Sequence, residues 1–266
     1  MKNPSILVKI SDVFKYQHHL RRSPALNSFS GHSHNLYEML YILEGDASHI
    51  IEDKKYKLKS GDLIITRPQK YHFIQVDSSI DYNRQNILFD HNALGINMDI
   101  LPEGLDVVNI KPGSIVSNIF EKLDYYAKNF EKEDFLAISK LLIQETIYNV
   151  ALMEKQEDSA VTVINPILSR ALSYIGENLF TVKDISEVAG AVFVTESYLF
   201  RLFKKELFKS PKKYIIEKRL LYAQNQLKKG RKLTAVAATC GFDDYSSFYR
   251  NYVAFFGKTP SSEKDK

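Results

Sequence analysis

The chain of 266 residues carries one cysteine, Cys240. A single thiol excludes an intrachain disulfide framework and suits a reducing compartment. Long hydrophobic runs are missing too: no stretch approaches the length of a membrane span, and the opening "MKNPSILVKISD" holds too short an apolar run for a signal peptide. The expectation is a cytoplasmic protein without a membrane partner. What is present is globular material, 44% hydrophobic and 26% charged, enough for true cores and too much for disorder. At this length two domains are expected.

A net charge of +4 conceals an imbalance. Residues 164–266 hold 18 Lys and Arg against 10 Asp and Glu, or +8, whereas residues 1–163 hold 18 against 22, or −4. A basic half joined to a mildly acidic half favours a polyanionic partner for the basic half.

Between residues 32 and 110 the pattern is one of short strands and turns: "LYEMLYILE", "ASHIIE", "KSGDLIIT" and "YHFIQVD", separated by "GD" and "EDKKY". Regular short strands point to a barrel or sandwich. From Ile115 to Met153 the period lengthens to three and four, predicting two amphipathic helices split near "KNFEKED". The stretch "EKQEDSAVTV", 154–163, reads as a linker. Beyond it the chain reads as helices with short breaks, "NPILSRALSYIGENLF" opening on an Asn-Pro cap.

That helical half repeats itself. "SYLFRLFKKELFKSP" matches a second segment ending "FFGKTP" at an offset of 49, pairing Leu199 with Phe248, Arg201 with Arg250 and Pro211 with Pro260. Each copy reads as a short helix, a tight turn and a second helix. Ala189 and Ala237 sit where helices cross, Gly241 at a turn, and Thr195 and Asp243 at candidate caps. With Leu199, Leu202 and Phe203 expected to be buried in one copy and Phe248, Tyr252 and Phe255 or Phe256 in the other, Ser197, Phe200, Arg201 and Lys204, and then Tyr245, Ser246, Tyr249 and Arg250, remain for a partner. Such helices fit the major groove of double-stranded DNA, with a helix from Tyr214 to Lys229 as the spacer.

Residues 165–260 resemble the double helix-turn-helix domain of AraC/XylS-type transcription regulators. The resemblance is carried by "YLFRLFKKE", "YIIEKRLLYAQNQLKKG" and "VAATCGFDDYSSFYRNYVAFFGKTP". It implies base-facing roles for Ser197, Phe200 and Arg201, and for Tyr245, Ser246, Tyr249 and Arg250, and it implies activation through RNA polymerase. Three departures stand out: Tyr252, Val253 and Ala254 replace the usual basic run, Phe208 stands in a glycine position, and Lys232 stands where a capping Ser or Thr is usual.

In the first half, His32-x-His34-x-x-x-Glu38 with Gly45 resembles one cupin motif, and Gly61, Pro68 and His72 resemble the other. Lys70 departs from the glycine of cupin enzymes, and the expected asparagine does not follow. Equal parity turns residues 32, 34 and 38 to one face of an extended chain. His32, His34, Glu38, Tyr41 and His72 are the candidates for effector contact. No cofactor is required, although His32, His34, Glu38 and His72 could ligate a divalent transition metal.

The expected fold is thus a two-domain α+β protein. Residues 1–157 would form a cupin-like β-barrel sensor with a helical dimerisation segment at 114–153, and residues 158–266 an all-α double helix-turn-helix. The expected function is an effector-responsive, homodimeric transcription regulator that activates and has no catalytic residue. Two alternatives are a metal-dependent cupin enzyme that binds nucleic acid incidentally, and a DNA-binding protein whose barrel serves only assembly.

Overall fold

The computed structural model describes residues 5–10, 12–22, 24, 31–153 and 161–264. They form two compact units, one β-rich and one helical.

The β-rich unit begins with β1 (Ser5–Ile10), β2 (Phe14–Arg21), β3 (Tyr37–Glu44), β4 (Ala47–Ile51) and β5 (Lys54–Leu58). It continues through β6 (Asp62–Thr66), β7 (His72–Val76), β8 (Tyr82–Phe89), the short helix α1 (His91–Leu94), β9 (Val107–Asn109), α2 (Ile115–Asn129) and α3 (Lys132–Ala151). A six-stranded sheet runs β1-β2-β8-β3-β6-β9. The last strand, β10 (Val161–Val163), opens a four-stranded sheet in the order β10-β5-β4-β7. Of the expected linker, residues 154–160 lie outside the described residues. Its end is strand rather than coil, consistent with the β-branched "VTV".

Alternation along the strands creates two apolar layers. Leu40 and Ile42 of β3 meet Ala47, Ile51, Tyr56, Leu58, Ile64, Ile74, Val76 and Tyr82 in a core drawn from both sheets. Met39 and Tyr41, of opposite parity, join Phe14, Tyr16, Leu63, Ile65, Ile87 and Phe89 beneath the helices. There Val116, Ile119, Phe120 and Leu123 of α2 and Phe135, Leu142, Ile143, Ile147 and Val150 of α3 complete the layer. The apolar stripe expected to pair two chains is therefore spent on the protein's own sheet. A different face of α3 remains open, where Leu141, Tyr148 and Leu152 are 65%, 51% and 85% exposed.

The second motif's Gly61 is required by its turn. Its φ is +88°, and a Cβ would lie 2.7 Å from the Ile110 carbonyl oxygen.

The helical unit comprises α4 (Pro166–Glu177), α5 (Ile185–Ala191), α6 (Glu196–Leu207), α7 (Pro211–Lys228), α8 (Leu233–Thr239) and α9 (Tyr245–Phe256). Asn165 caps α4 by accepting from the amides of Ile167 at 2.9 Å and Leu168 at 3.2 Å. The spacer α7 starts at Pro211, one turn before the expected Tyr214, because Ser210 caps it and Pro211 suits the first helical turn. Leu220, Ala223 and Leu227 of α7 pack with Val236, Ala237, Cys240, Phe248 and Tyr252. Burial pushes the Cys240 thiol up to about 11, so it behaves as a small core residue.

Candidate functional site

The repeat is real and slightly uneven. Helices α5 and α8 start 48 residues apart, at Ile185 and Leu233, whereas α6 and α9 start 49 apart, at Glu196 and Tyr245. The second turn is one residue longer. The cap of α9 is accordingly Asp244, whose side chain accepts from the Ser247 amide at 2.7 Å, and not the expected Asp243. Thr195 caps α6 through the Tyr198 amide, as its position suggests.

On α6, Leu199, Leu202 and Phe203 are buried, and Ser197, Phe200, Arg201 and Lys204 are exposed. On α9, Phe248 and Tyr252 are buried, and Tyr245, Ser246, Tyr249 and Arg250 are exposed. Phe200 is 47% and Tyr249 38% exposed, so neither belongs to the core. Each exposed set combines arginine and serine, which hydrogen-bond to base edges, with rings suited to apolar contact. Lys204 places its ammonium 5.8 Å from the Phe200 ring centroid.

Both second helices end on a residue in the left-handed region, Phe208 at φ 56° and Gly257 at φ 69°. The glycine position that Phe208 fills thus keeps its backbone conformation. Lys232 supplies no side-chain cap to α8.

A residue that motif matching passed over holds the helical unit together. Arg219, 8% exposed, donates from Nε to the Leu179 carbonyl at 2.7 Å, from Nη1 to Gly241 at 2.5 Å and from Nη2 to Val182 at 2.5 Å. It ties the spacer to the segment before the first motif and to the turn of the second. Burial pulls its guanidinium below the usual value.

In the β-rich unit, Glu38 and His72 are almost fully buried and touch, His72 Nε2 lying 2.9 Å from Glu38 Oε2. His72 Nδ1 donates to the Lys70 carbonyl oxygen at 2.9 Å. One ligand atom from each of His32, His34, Glu38 and His72 lies within 4.8 Å of the others, with His32 exposed and His34 half-buried. Tyr41 does not join them. Its odd parity sends it to the other face of β3, where it stacks on Phe120 at 4.6 Å. In its place stands His49 of β4, 1% exposed, whose ring lies 5.8 Å from that of His72 and whose Nε2 is 3.4 Å from Thr66 Oγ1. Its parity with Ala47 and Ile51 was the signal that could have found it.

Among the described residues, no helix is long and apolar enough to cross a membrane. Residues 16–144 match the model of an AraC-like ligand-binding domain, and residues 188–265 that of a helix-turn-helix domain. The chain is 24% identical over 247 residues to the HTH-type transcriptional activator RhaR of Cronobacter sakazakii, covering 88% of this chain and 86% of that one. RhaR of Klebsiella pneumoniae is 22% identical over 255 residues, covering 90% and 89%. Among solved structures, ToxT from Vibrio cholerae aligns over 96% of this chain and 98% of its own, at 14% identity and a TM-score of 0.39. A ligand-binding domain and a helix-turn-helix domain in this order describe a regulator rather than an enzyme, and the chain belongs to the AraC-type transcription regulators.

Proposed function

We propose that the chain is a cytoplasmic, homodimeric activator, with residues 1–157 sensing a small molecule and residues 158–266 reading DNA. The observation that carries this reading is the matched exposure of Ser197, Phe200, Arg201 and Lys204 on α6 and of Tyr245, Ser246, Tyr249 and Arg250 on α9. Two such helices about one DNA turn apart, roughly 34 Å, enter successive major grooves. Activation through RNA polymerase is supported by the relatives' designation as transcriptional activators. Dimer formation is assigned to the open face of α3, since Leu141, Tyr148 and Leu152 recur at steps of seven and four on one side of that helix.

The effector site is assigned to the polar end of the core between the two sheets, at Glu38, His49 and His72 with His32 and His34. Tyr41 is excluded by its orientation. An effector acts only by binding one arrangement of the dimer better than another.

The test is a mobility-shift assay on the DNA flanking the gene. Wild-type protein is expected to prefer that DNA to random sequence, and Arg201→Ala and Arg250→Ala to lose at least about fivefold in preference, each bidentate base contact being worth about 1–3 kcal/mol. Equal binding to both DNAs, unchanged by either substitution, rejects the reading.

A second reading concerns metal. His32, His34, Glu38 and His72 offer three imidazoles and a carboxylate, a set suited to zinc, iron, manganese or nickel. The Lys70 carbonyl on His72 Nδ1 leaves Nε2 facing the group, as for a ligating histidine held by a backbone partner. Elemental analysis of protein purified without a histidine tag is expected to give one ion per chain, absent in His72→Ala; substoichiometric metal rejects it.

A further inference from the structure

The two helix-turn-helix copies place their cations differently. Helix α6 carries Arg201, Lys204 and Lys205, whereas α9 carries Arg250 alone. The entries to the first helices reverse that order. Helices α5 and α8 begin 48 residues apart, so Thr181, Val182, Lys183 and Asp184 of the first copy correspond to Lys229, Gly230, Arg231 and Lys232 of the second. One cation against one acid leaves the first set neutral, and three cations without an acid make the second +3. From residue 218 to residue 242 the chain holds six cations and no Asp or Glu.

The cationic turn is ordered by its own backbone. Gly230 takes φ +81°, its amide donates to the Leu227 carbonyl at 2.9 Å, and the Arg231 amide donates to the Gln226 carbonyl at 3.1 Å. Together these bonds close the end of α7 in a Schellman motif. Leu233, just beyond, packs against the core shared by α7, α8 and α9. Lys229, Arg231 and Lys232 nevertheless stand exposed. Among the described residues none of the three meets a carboxylate within ion-pair distance. Lys232 also leaves the start of α8 without a side-chain cap, whereas Asp184 at the corresponding place forms a capping box with Glu187. Three like charges within four residues repel, and an anion relieves that repulsion.

We infer that Lys229, Arg231 and Lys232 form a phosphate clamp for the second copy, holding the DNA strand that flanks the groove entered by α9. The inference rests on the DNA-reading function above. In a helix-turn-helix the second helix lies in the major groove while the first crosses the backbone. Helix α8 has seven residues and is therefore about 10 Å long. Its start thus stands nearly the width of a major groove, about 12 Å, from the turn that leads into α9. A backbone strand lies at that distance, and lysine and arginine there neutralise phosphates without reading bases. The first copy draws its phosphate contacts from α6, the second from the entry to α8. That placement accounts for both the scarcity of cations on α9 and the uncapped start of α8.

The test uses the full-length protein and the DNA flanking the gene, with fluorescence anisotropy at several salt concentrations. Replacing all three residues, Lys229→Gln, Arg231→Gln and Lys232→Gln, is expected to lower the log–log slope of affinity against salt by about 2–3, each neutralised phosphate contributing about 0.9. The order of preference among single-base variants of that DNA is expected to stay as it is. Lys232→Ser separates charge from folding. It restores a capping side chain, so it is expected to raise the urea midpoint and yet to lower the slope by about 1, while Lys232→Arg keeps the wild-type slope. Ethylation interference is expected to vanish in the triple variant at phosphates beside the base pair whose recognition Arg250→Ala relaxes. The proposal is overturned if the triple variant keeps the wild-type slope, or if the lost phosphates lie beside the base pair read by Arg201. It is overturned equally if DNA binding is unchanged while transcription by added RNA polymerase falls, which assigns the cations to the polymerase. Wild-type protein without preference for the flanking DNA rejects the DNA-reading function itself, whereas preference with an unchanged slope in the triple variant rejects the clamp alone.

Discussion

Phe193 and Gly241 hold the positive-φ position in the two helix-turn-helix turns, at φ 59° and 81°. Their surroundings are opposite. Phe193 is 92% exposed, so its ring gains little packing while its backbone carries the left-handed penalty. Phe193→Gly is expected to stabilise the protein by about 0.5–1 kcal/mol, part of the relief being offset by the greater freedom of glycine when unfolded. A urea titration reads this as a higher midpoint with the same slope. At Gly241 a Cβ would lie 2.8 Å from Arg219 Nε and 2.8 Å from the Phe180 carbonyl oxygen. Gly241→Ala combines backbone strain with displacement of a buried guanidinium from its carbonyls, and is expected to cost about 2–4 kcal/mol in the same titration. If both variants shift the midpoint in the same direction, the contrast between the turns is wrong.

Helix α2 is fastened to the sheet by polar contacts as well as by its apolar stripe. His18 Nδ1 lies 2.6 Å from Asp124 Oδ2 and its Nε2 2.8 Å from Asn83 Oδ1, while the Tyr16 hydroxyl donates to Asp124 Oδ1 at 2.7 Å. Gln85 Nε2 donates both to Tyr16 and to the Phe120 carbonyl. The Asp124 hydrogen bond raises His18 above 6.5 against the opposing effects of burial and Lys128. Burial works to raise Asp124, but the bonds from His18 and Tyr16 hold it below 3.8. A raised histidine lends stability that is complete below pH 6.5 and is lost as pH climbs through its higher folded value. A depressed aspartate lends stability that is present above pH 3.8 and is lost as pH falls through its lower folded value. Tm is therefore expected to decline from about pH 6 to 8 in the wild type, and His18→Gln to flatten that limb. Parallel curves for the two proteins contradict this account. The same network explains which strands the sequence hid. "FKYQHHLR" and "YNRQNILF" carry histidine, arginine, asparagine and glutamine that pair with α2 or face the inner core, so the apolar runs that announce β3 and β6 are broken in β2 and β8. In the candidate site, Glu38 and His72 are legible from motif spacing, whereas His49 on β4 falls outside both motifs, and Tyr41, of the other parity from Glu38, lies on the opposite face of β3.

At the scale of the molecule, the DNA-reading half was legible because each helix-turn-helix closes its core over a short span. Leu199 and Phe203, like Phe248 and Tyr252, bury themselves against near neighbours, and the repeat survives a one-residue difference in turn length. What repetition does not convey is that the two halves carry unequal charge. Helix α6 holds Arg201, Lys204 and Lys205, whereas Arg250 is the only cation of α9, which continues as Tyr252, Val253 and Ala254. Phosphate contacts set salt dependence, each neutralised phosphate adding about 0.9 to the log–log slope, while base contacts set discrimination. Lys204→Ala is therefore expected to lower the slope by about 1 and to weaken binding evenly across sequences. Arg250→Ala should relax the preference at one base pair by about 1–3 kcal/mol. Affinities for a set of single-base operator variants at several salt concentrations distinguish the two effects. If Lys204→Ala changes the order of preference among those variants, or Arg250→Ala leaves it intact, the division of labour between the two helices is the reverse of that inferred from their charges.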